Sequence, residues 1–526
     1  MSVFEGQIWL SNRLTIMEWL NNSIKKYGSK IAIVDGEAYI SYVKLKNMID
    51  HYSGYFFQEG IKKGDRVVIQ LNNSKEYVYA VLSLIQIGAI PVLTNYALRE
   101  KEVNGIIERT QASAYVYSEI SVEYSYKKFA ENAKEKYDYL FLCNSVENIE
   151  INCKKNISFI PVKSKLNDIA VLMLSGGTTG TPKIVPLLHD MLYWHIKCYI
   201  DKFGLDENSV YLGILPFTHK FALYSPGLLN MLFVGGTVVM SKTSSFDESF
   251  SLIEKERVTI TGIVPSLAQL WIEVLMWDNS YDLKSLDRII IGGALINKKL
   301  IADMINVFSC DIHIGYGATE GIVMYSLYDS ASNRLSSGYK YPISGCEDIK
   351  IIDSDEKEVE IGQPGELVIK SPYTITQYYN AADNTSEKFT FEGYYRTGDK
   401  AVINLYGEYE IIGRIVDQIN KAGEKINPQE LEQYLYEHIA IKEAVVVGVK
   451  DELLGERICA FIIPTQVGQD IDVKELIYFL EMKGIAHYKI PDQIECIDKF
   501  PLTPVNKIDK EKLRYLAEVS RGEGIC

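Results

Sequence analysis

Between residues 65 and 308, short apolar runs with strand character alternate with amphipathic stretches of helical period, and this alternation narrows the possible folds most. Residues 65–70 (DRVVIQ) precede a helical stretch at 77–87, and 236–240 (GTVVM) precede 246–255. The same order recurs at 258–264 before 266–277 and at 288–291 before 298–308. A strand followed by a helix returns to its sheet as a parallel neighbour, so repeated units build parallel sheets covered by helices. After Pro342 the texture changes to short strands between glycine-containing turns, at 349–352, 365–369 and 408–412, which predicts a more antiparallel, barrel-like piece. From about residue 414 the chain restarts: a helix at 429–438 after Pro428, strands at 444–449 and 459–464, and a helix at 473–483. The expected class is α/β, with a large N-terminal domain of doubly wound sheets plus a small barrel-like subdomain, and a smaller mobile α+β C-terminal domain. The expected boundaries are 1–413 and 414–526, with a hinge near 414–417.

With 526 residues, the chain has room for roughly two to four domains. Its net charge of −14 argues against a nucleic-acid surface and leaves any acidic substrate to local charge. The longest apolar stretch, 80–93, is broken by Gln86, Gly88 and Pro91, and the first 20 residues carry Glu5, Asn12, Arg13 and Glu18, so neither a membrane span nor a secretory leader is expected. The eight cysteines contain no C-x-x-C pair, which leaves no sign of a zinc site or a disulfide framework and suggests a reducing, cytoplasmic setting.

Residues 174–183 read LSGGTTGTPK. Gly176, Gly177 and Gly180 let the backbone approach an anion, while Ser175, Thr178, Thr179 and Thr181 donate hydrogen bonds and Lys183 adds a point charge. This is the composition of a loop that wraps a polyphosphate. The Walker loop needs its lysine directly after glycine, and here Thr181 and Pro182 follow Gly180, so that register fails. Taken alone, the segment also reads as an ordinary Gly/Thr turn between strands.

Further strings follow in order: GGA at Gly292, Gly293 and Ala294; YGATEG from Tyr316 and Gly317 through Thr319 and Glu320; YRTGD ending at Asp399; GRIVDQINKAGEKI, with Arg414; and PLTPVNKIDK, with Lys507. Together with SGGTTGTPK they resemble the acyl-adenylate-forming (AMP-binding) superfamily, which includes acyl-CoA synthetases, adenylation domains of nonribosomal peptide synthesis and luciferases. The resemblance runs from about residue 15 to about 515.

The resemblance implies an ATP-dependent ligase that joins a carboxylic acid to AMP, with ATP and Mg2+ as cofactors. Attack on the α-phosphate while pyrophosphate leaves requires negative charge to be stabilised at both ends of an in-line displacement. By the motif match, the 175–183 loop holds the leaving pyrophosphate, Thr319 contacts phosphate, and Glu320 binds Mg2+, a metal that takes hard oxygen ligands. Tyr316, Gly317 and the Gly292–Gly293–Ala294 turn enclose adenine, and Asp399, with Arg414 beside it, accepts the ribose hydroxyls. Lys507 bridges the substrate carboxylate and the α-phosphate. The resemblance also implies that the small domain rotates between half-reactions. Val416 stands at the pivot, where Asp or Lys is usual.

LPFTHKFALYSPG (215–227), DQINKAGEKI, SPYTITQYY (371–379) and AHYKIPD (486–492) look most like the stand-alone aryl-acid AMP ligases that start siderophore synthesis. These activate 2,3-dihydroxybenzoate or salicylate and load an aryl carrier protein. By that match His219 sits over the acid, Lys220, Phe221 and Ser225 line its pocket, and Val323 walls the far end. The family has asparagine where this chain has Lys220. An ammonium in that pocket would need a paired group, which predicts an aryl or heteroaryl acid with a second acceptor; alternatively the side chain reaches outward to water. The expected partners are a small aromatic carboxylic acid and an aryl or acyl carrier protein, with no nucleic acid and no membrane. An acyl-CoA synthetase using free CoA and a non-catalytic nucleotide-binding regulator are the alternatives.

Overall fold

The computed structural model describes residues 13–523 apart from 121–123, 154–158, 160, 176–181, 279, 294–295, 297, 330–333, 336–338, 381–386, 416, 422–423, 452–453, 467–470, 484, 486 and 504–506. The chain divides into two compact units: Met1–Asp348 with Ile369–Tyr395, and Ile349–Val368 with Arg396–Cys526. The boundary expected at 413/414 falls inside the second unit, at the end of strand Tyr409–Arg414. Among the described residues no helix is long and apolar enough to cross a membrane.

The first unit holds two sheets. In the smaller, strands Leu142–Ser145, Ala114–Tyr117, Arg66–Gln70, Ile90–Leu93, Ile169–Ser175 and Lys183–Leu188 lie side by side in that order, parallel except for the last pair. Strands Ala114–Tyr117 and Ile90–Leu93 are buried at every position, as expected of parallel strands covered on both faces. In the larger sheet, Asp311–Gly317, Arg288–Ile291, Ile260–Ile263, Val210–Gly213, Thr237–Met240 and Ile31–Asp35 run parallel in spatial order. Helices pack on them through large side chains: Trp271, from helix Pro265–Trp277, is fully buried against Phe250 and Phe308. Serine caps start the covering helices where the pattern predicts, with Ser74 Oγ accepting from the Tyr77 N–H ahead of helix Lys75–Gln86.

In the second unit, strands Asp348–Ile352, Gly365–Lys370, Tyr395–Ile403 and Tyr409–Arg414 are neighbours in that order, the last two antiparallel. A further sheet pairs Ile441–Asp451 with Gly455–Pro464, flanked by Ile419–Lys421, Glu424–Ile426 and Gln493–Cys496. Alternation along Ile441–Asp451 sorts its two faces. Ala444 and Val446 meet Leu431, Leu435, Leu476 and Leu480 of two helices, while Val445, Val447 and Val449 meet Leu513 and Ala517 of a third. The predicted α+β texture after residue 414 is present as this helix-covered sheet.

Candidate active site

Four parallel strands of the larger sheet, Val210–Gly213, Ile260–Ile263, Arg288–Ile291 and Asp311–Gly317, bring their carboxyl ends to one edge. In open α/β sheets ligands bind beyond such ends. His219 and Lys220 follow the first strand, Gly292 and Gly293 follow the third, and Tyr316 and Gly317 finish the fourth. A Cβ at Gly292 would stand 2.9 Å from the Gly315 carbonyl oxygen, so the two strand ends approach closely only because that side chain is missing. Ala294 lies outside the described residues.

Past Gly317 the chain makes a tight turn, with Gly321 N–H donating to Ala318 O (3.1 Å) and Ala318 N–H donating to Ile322 O (3.2 Å). Gly321 has φ +119°, and a Cβ there would overlap the Tyr373 carbonyl. Thr319 and Glu320 ride on this turn. Glu320 is buried, and its Oε1 accepts from the Tyr378 hydroxyl at 2.9 Å. Segment 371–379 holds the turn from the other side, since Ile375 N–H donates to Glu320 O at 2.9 Å. The same segment reaches the smaller sheet, where Tyr379 N–H donates to Ile184 O at 2.9 Å.

Lys183 opens strand Lys183–Leu188 opposite the buried Ser175. Its Nζ lies 4.8 Å from the centre of the Tyr378 ring. Burial and then the charge of Lys388 lower its pKa, while Glu320 pulls the other way. Lys183 and Glu320 therefore engage one tyrosine, one through the ring and the other through the hydroxyl. Gly176, Gly177, Thr178, Thr179, Gly180 and Thr181 lie outside the described residues.

His219 precedes the short helix Lys220–Tyr224. Asn73 fastens the approach to it, donating to Leu215 O (2.8 Å) and accepting from Phe217 N–H (2.8 Å). Asn95 Oδ1 accepts from Ala97 N–H at 2.9 Å, which leaves Nδ2 facing His219 Nε2 at 3.3 Å. An amide nitrogen can only donate, so in this contact His219 Nε2 is the acceptor. Neither asparagine was in the predicted set. The signal available was a polar residue just past each of two apolar strands. Phe221 packs on Gly262, where a Cβ would come within 3.0 Å of its ring, and Val323 is buried opposite Gly317.

Lys220 takes neither of the two expected courses in full. It is 8% exposed, which excludes an outward reach to water. Its Nζ donates to Ala318 O at 2.7 Å and Ile322 O at 3.0 Å, the two carbonyls that close the Thr319–Glu320 turn. Burial pushes its pKa down to about 7, with Glu320 opposing. Beside it, His195 of helix His189–Phe203 is held neutral by burial and then by the Lys220 charge. His195 Nε2, Tyr224 Oη and Ser225 Oγ are buried with no hydrogen-bond partner among the described residues.

Asp399, Arg414 and Lys507 belong to the second unit. Asp399 is buried and stands opposite Arg414 in register, with Arg414 Nε 2.6 Å from Asp399 Oδ1. Lys507 is exposed, and its backbone O accepts from Thr503 N–H at 2.7 Å. Val416 lies outside the described residues.

Residues 20–379 match the family described as AMP-binding enzyme, and residues 430–507 match the AMP-binding enzyme C-terminal domain. The chain belongs to the AMP-binding enzyme family. It is 36% identical over 504 residues to the 2,3-dihydroxybenzoate-AMP ligase of Bacillus subtilis, covering 95% of this chain and 93% of that protein. Identity to the vibriobactin-specific 2,3-dihydroxybenzoate-AMP ligase of Vibrio cholerae is 32% over 514 residues, with the same coverage of each. Among solved structures, apo MbtA of Mycobacterium smegmatis aligns with a TM-score of 0.72 at 28% identity, covering 96% of this chain and 95% of that one. Family membership agrees with the motif resemblance and with the observed α/β architecture of a larger N-terminal and a smaller C-terminal part.

Proposed function

We propose that this chain is an ATP-dependent acid–AMP ligase that activates an aryl acid, releases pyrophosphate and passes the acyl group to the phosphopantetheine thiol of a carrier protein. The observation that carries the reading is the arrangement around Tyr378: a half-buried ammonium, Lys183, over its ring and a buried carboxylate, Glu320, on its hydroxyl. A cation for the phosphates and a hard anion for their metal are what activation of ATP requires. Glu320 suits Mg2+, because its Oε1 is fixed by a hydroxyl and carboxylate oxygen is the donor this ion takes. When bound, Mg2+ would neutralise charge on the phosphates.

The chain's own groups do the rest. Lys183 and the 175–181 hydroxyls and amides would take the leaving pyrophosphate, and Thr319 would contact phosphate. Tyr316, Gly317, Gly292 and Gly293 would enclose adenine, Asp399 with Arg414 would accept the ribose, and Lys507 would stand between carboxylate and α-phosphate. Over the acid, His219 would present the face that Asn95 orients, with Phe221, Ser225 and Val323 as walls. Two N–H donors of Lys220 are taken by the turn carbonyls, and in its protonated form the third is left for an acceptor on the acid. The names of the two curated relatives support the aryl class.

ATP–pyrophosphate exchange across hydroxybenzoates and picolinates tests this reading, with the wild type and Lys220→Asn side by side. Exchange with at least one aryl acid is expected, and Lys220→Asn should move preference toward 2,3-dihydroxybenzoate or salicylate. A panel without exchange would overturn the ligase reading. An unchanged rank order in the variant would remove Lys220 from acid recognition.

A further inference from the structure

Tyr378 touches both charged groups of the proposed phosphate site. Its hydroxyl donates to Glu320 Oε1 at 2.9 Å, and the Tyr395 hydroxyl is 3.5 Å away. Lys183 Nζ lies over its ring, 4.8 Å from the centre. Tyr378, Glu320 and Tyr395 are each buried. The backbone on either side is tied down, Ile375 N–H to Glu320 O and Tyr379 N–H to Ile184 O, each at 2.9 Å. Segment 371–379 thus spans from the turn that carries Glu320 to the strand that Lys183 opens.

Opposite charges in a partly dry site tend to collapse into an ion pair, which would use up both groups before any ligand arrived. The aromatic face offers the ammonium an alternative partner, and the hydroxyl offers one to the carboxylate. We propose that Tyr378 is a positioning residue that keeps Lys183 and Glu320 apart and separately oriented, so that one stays available to the phosphates and the other to their divalent cation. This rests on the acid–AMP ligase reading above.

Tyr378→Phe keeps the ring and its packing against Phe389 while removing the hydroxyl; Tyr378→Leu removes both contacts. In ATP–pyrophosphate exchange, Tyr378→Phe should raise the Mg2+ concentration for half-maximal rate roughly ten-fold, the scale of losing one hydrogen bond to a charged group. Its KM for the acid and its rate at saturating Mg2+ should stay near wild type. Without turnover, electron paramagnetic resonance of Mn2+ bound in the presence of ATP should show a matching loss of affinity in Tyr378→Phe. That loss should not add to the loss in Glu320→Gln, because the hydroxyl acts through that carboxylate. Tyr378→Leu should in addition raise the KM for ATP.

Mn2+ affinity and Mg2+ requirement unchanged in Tyr378→Phe would overturn the proposal, as would losses that add in the double variant. Tyr378→Leu no worse than Tyr378→Phe would overturn the part assigned to the ring. A wild type that neither exchanges pyrophosphate nor binds Mn2+ with ATP would instead remove the underlying ligase reading, so the two failures are distinct.

Discussion

A lysine withdrawn from water must find acceptors for three N–H groups or release its proton, and Lys220 does some of each. Two donors go to Ala318 O and Ile322 O, and burial brings the pKa from 10.5 down to about 7. The unfolded chain holds this proton up to about pH 10.5, whereas the folded protein releases it near 7. Between these values the unfolded state binds more protons, so stability rises with pH, and the contribution is lost as pH falls through 7. Relative to Lys220→Met, which cannot titrate, the wild type should gain up to about 1.4 kcal/mol per pH unit from pH 7 to 9 in urea unfolding. Parallel stability curves for the two proteins would show that Lys220 titrates alike in both states.

The elements that matter most are the 318–322 turn and the 371–379 segment laid across it. Their fit depends on Gly321, where positive φ and the nearby Tyr373 carbonyl both exclude a side chain. Gly293 also has positive φ, but the nearest atom to a Cβ there is Val264 Cγ1 at 3.7 Å. Gly293→Ala should therefore cost only backbone strain, on the order of 1–3 kcal/mol. Gly321→Ala should cost more in denaturant unfolding and should also lower pyrophosphate exchange, since the displaced segment carries Tyr378. Equal losses at both positions would mean that the carbonyl overlap is relieved without moving the segment.

At the scale of the molecule, the proposed charges are divided between two units, with Lys183 and Glu320 in one and Asp399, Arg414 and Lys507 in the other. A two-step reaction can use such a division, because a group needed for adenylate formation need not serve thioester formation. Lys507→Ala should lower ATP–pyrophosphate exchange about 100-fold or more, the scale of removing a preorganised electrostatic contact. Acyl transfer from a supplied adenylate to a carrier thiol should persist. Equal loss of both steps would take Lys507 out of its proposed place.

Local pattern determined the parallel strands and their helices, because a strand buried on both faces leaves an unbroken apolar run, as in Arg66–Gln70 and Arg288–Ile291. It also singled out Lys183, Glu320 and Gly292 as candidates, since their short strings concentrate glycine, hydroxyl or charge within a few residues. What it could not reveal were partners closed across the fold. Tyr378 lies 58 positions from Glu320 and Asn95 lies 124 from His219, and no short-range period records such a bond. Lys220 marks the limit most clearly. In sequence, its charge had a pocket or water to choose between; the tertiary structure chose two turn carbonyls 98 and 102 positions away, because packing had already removed the water.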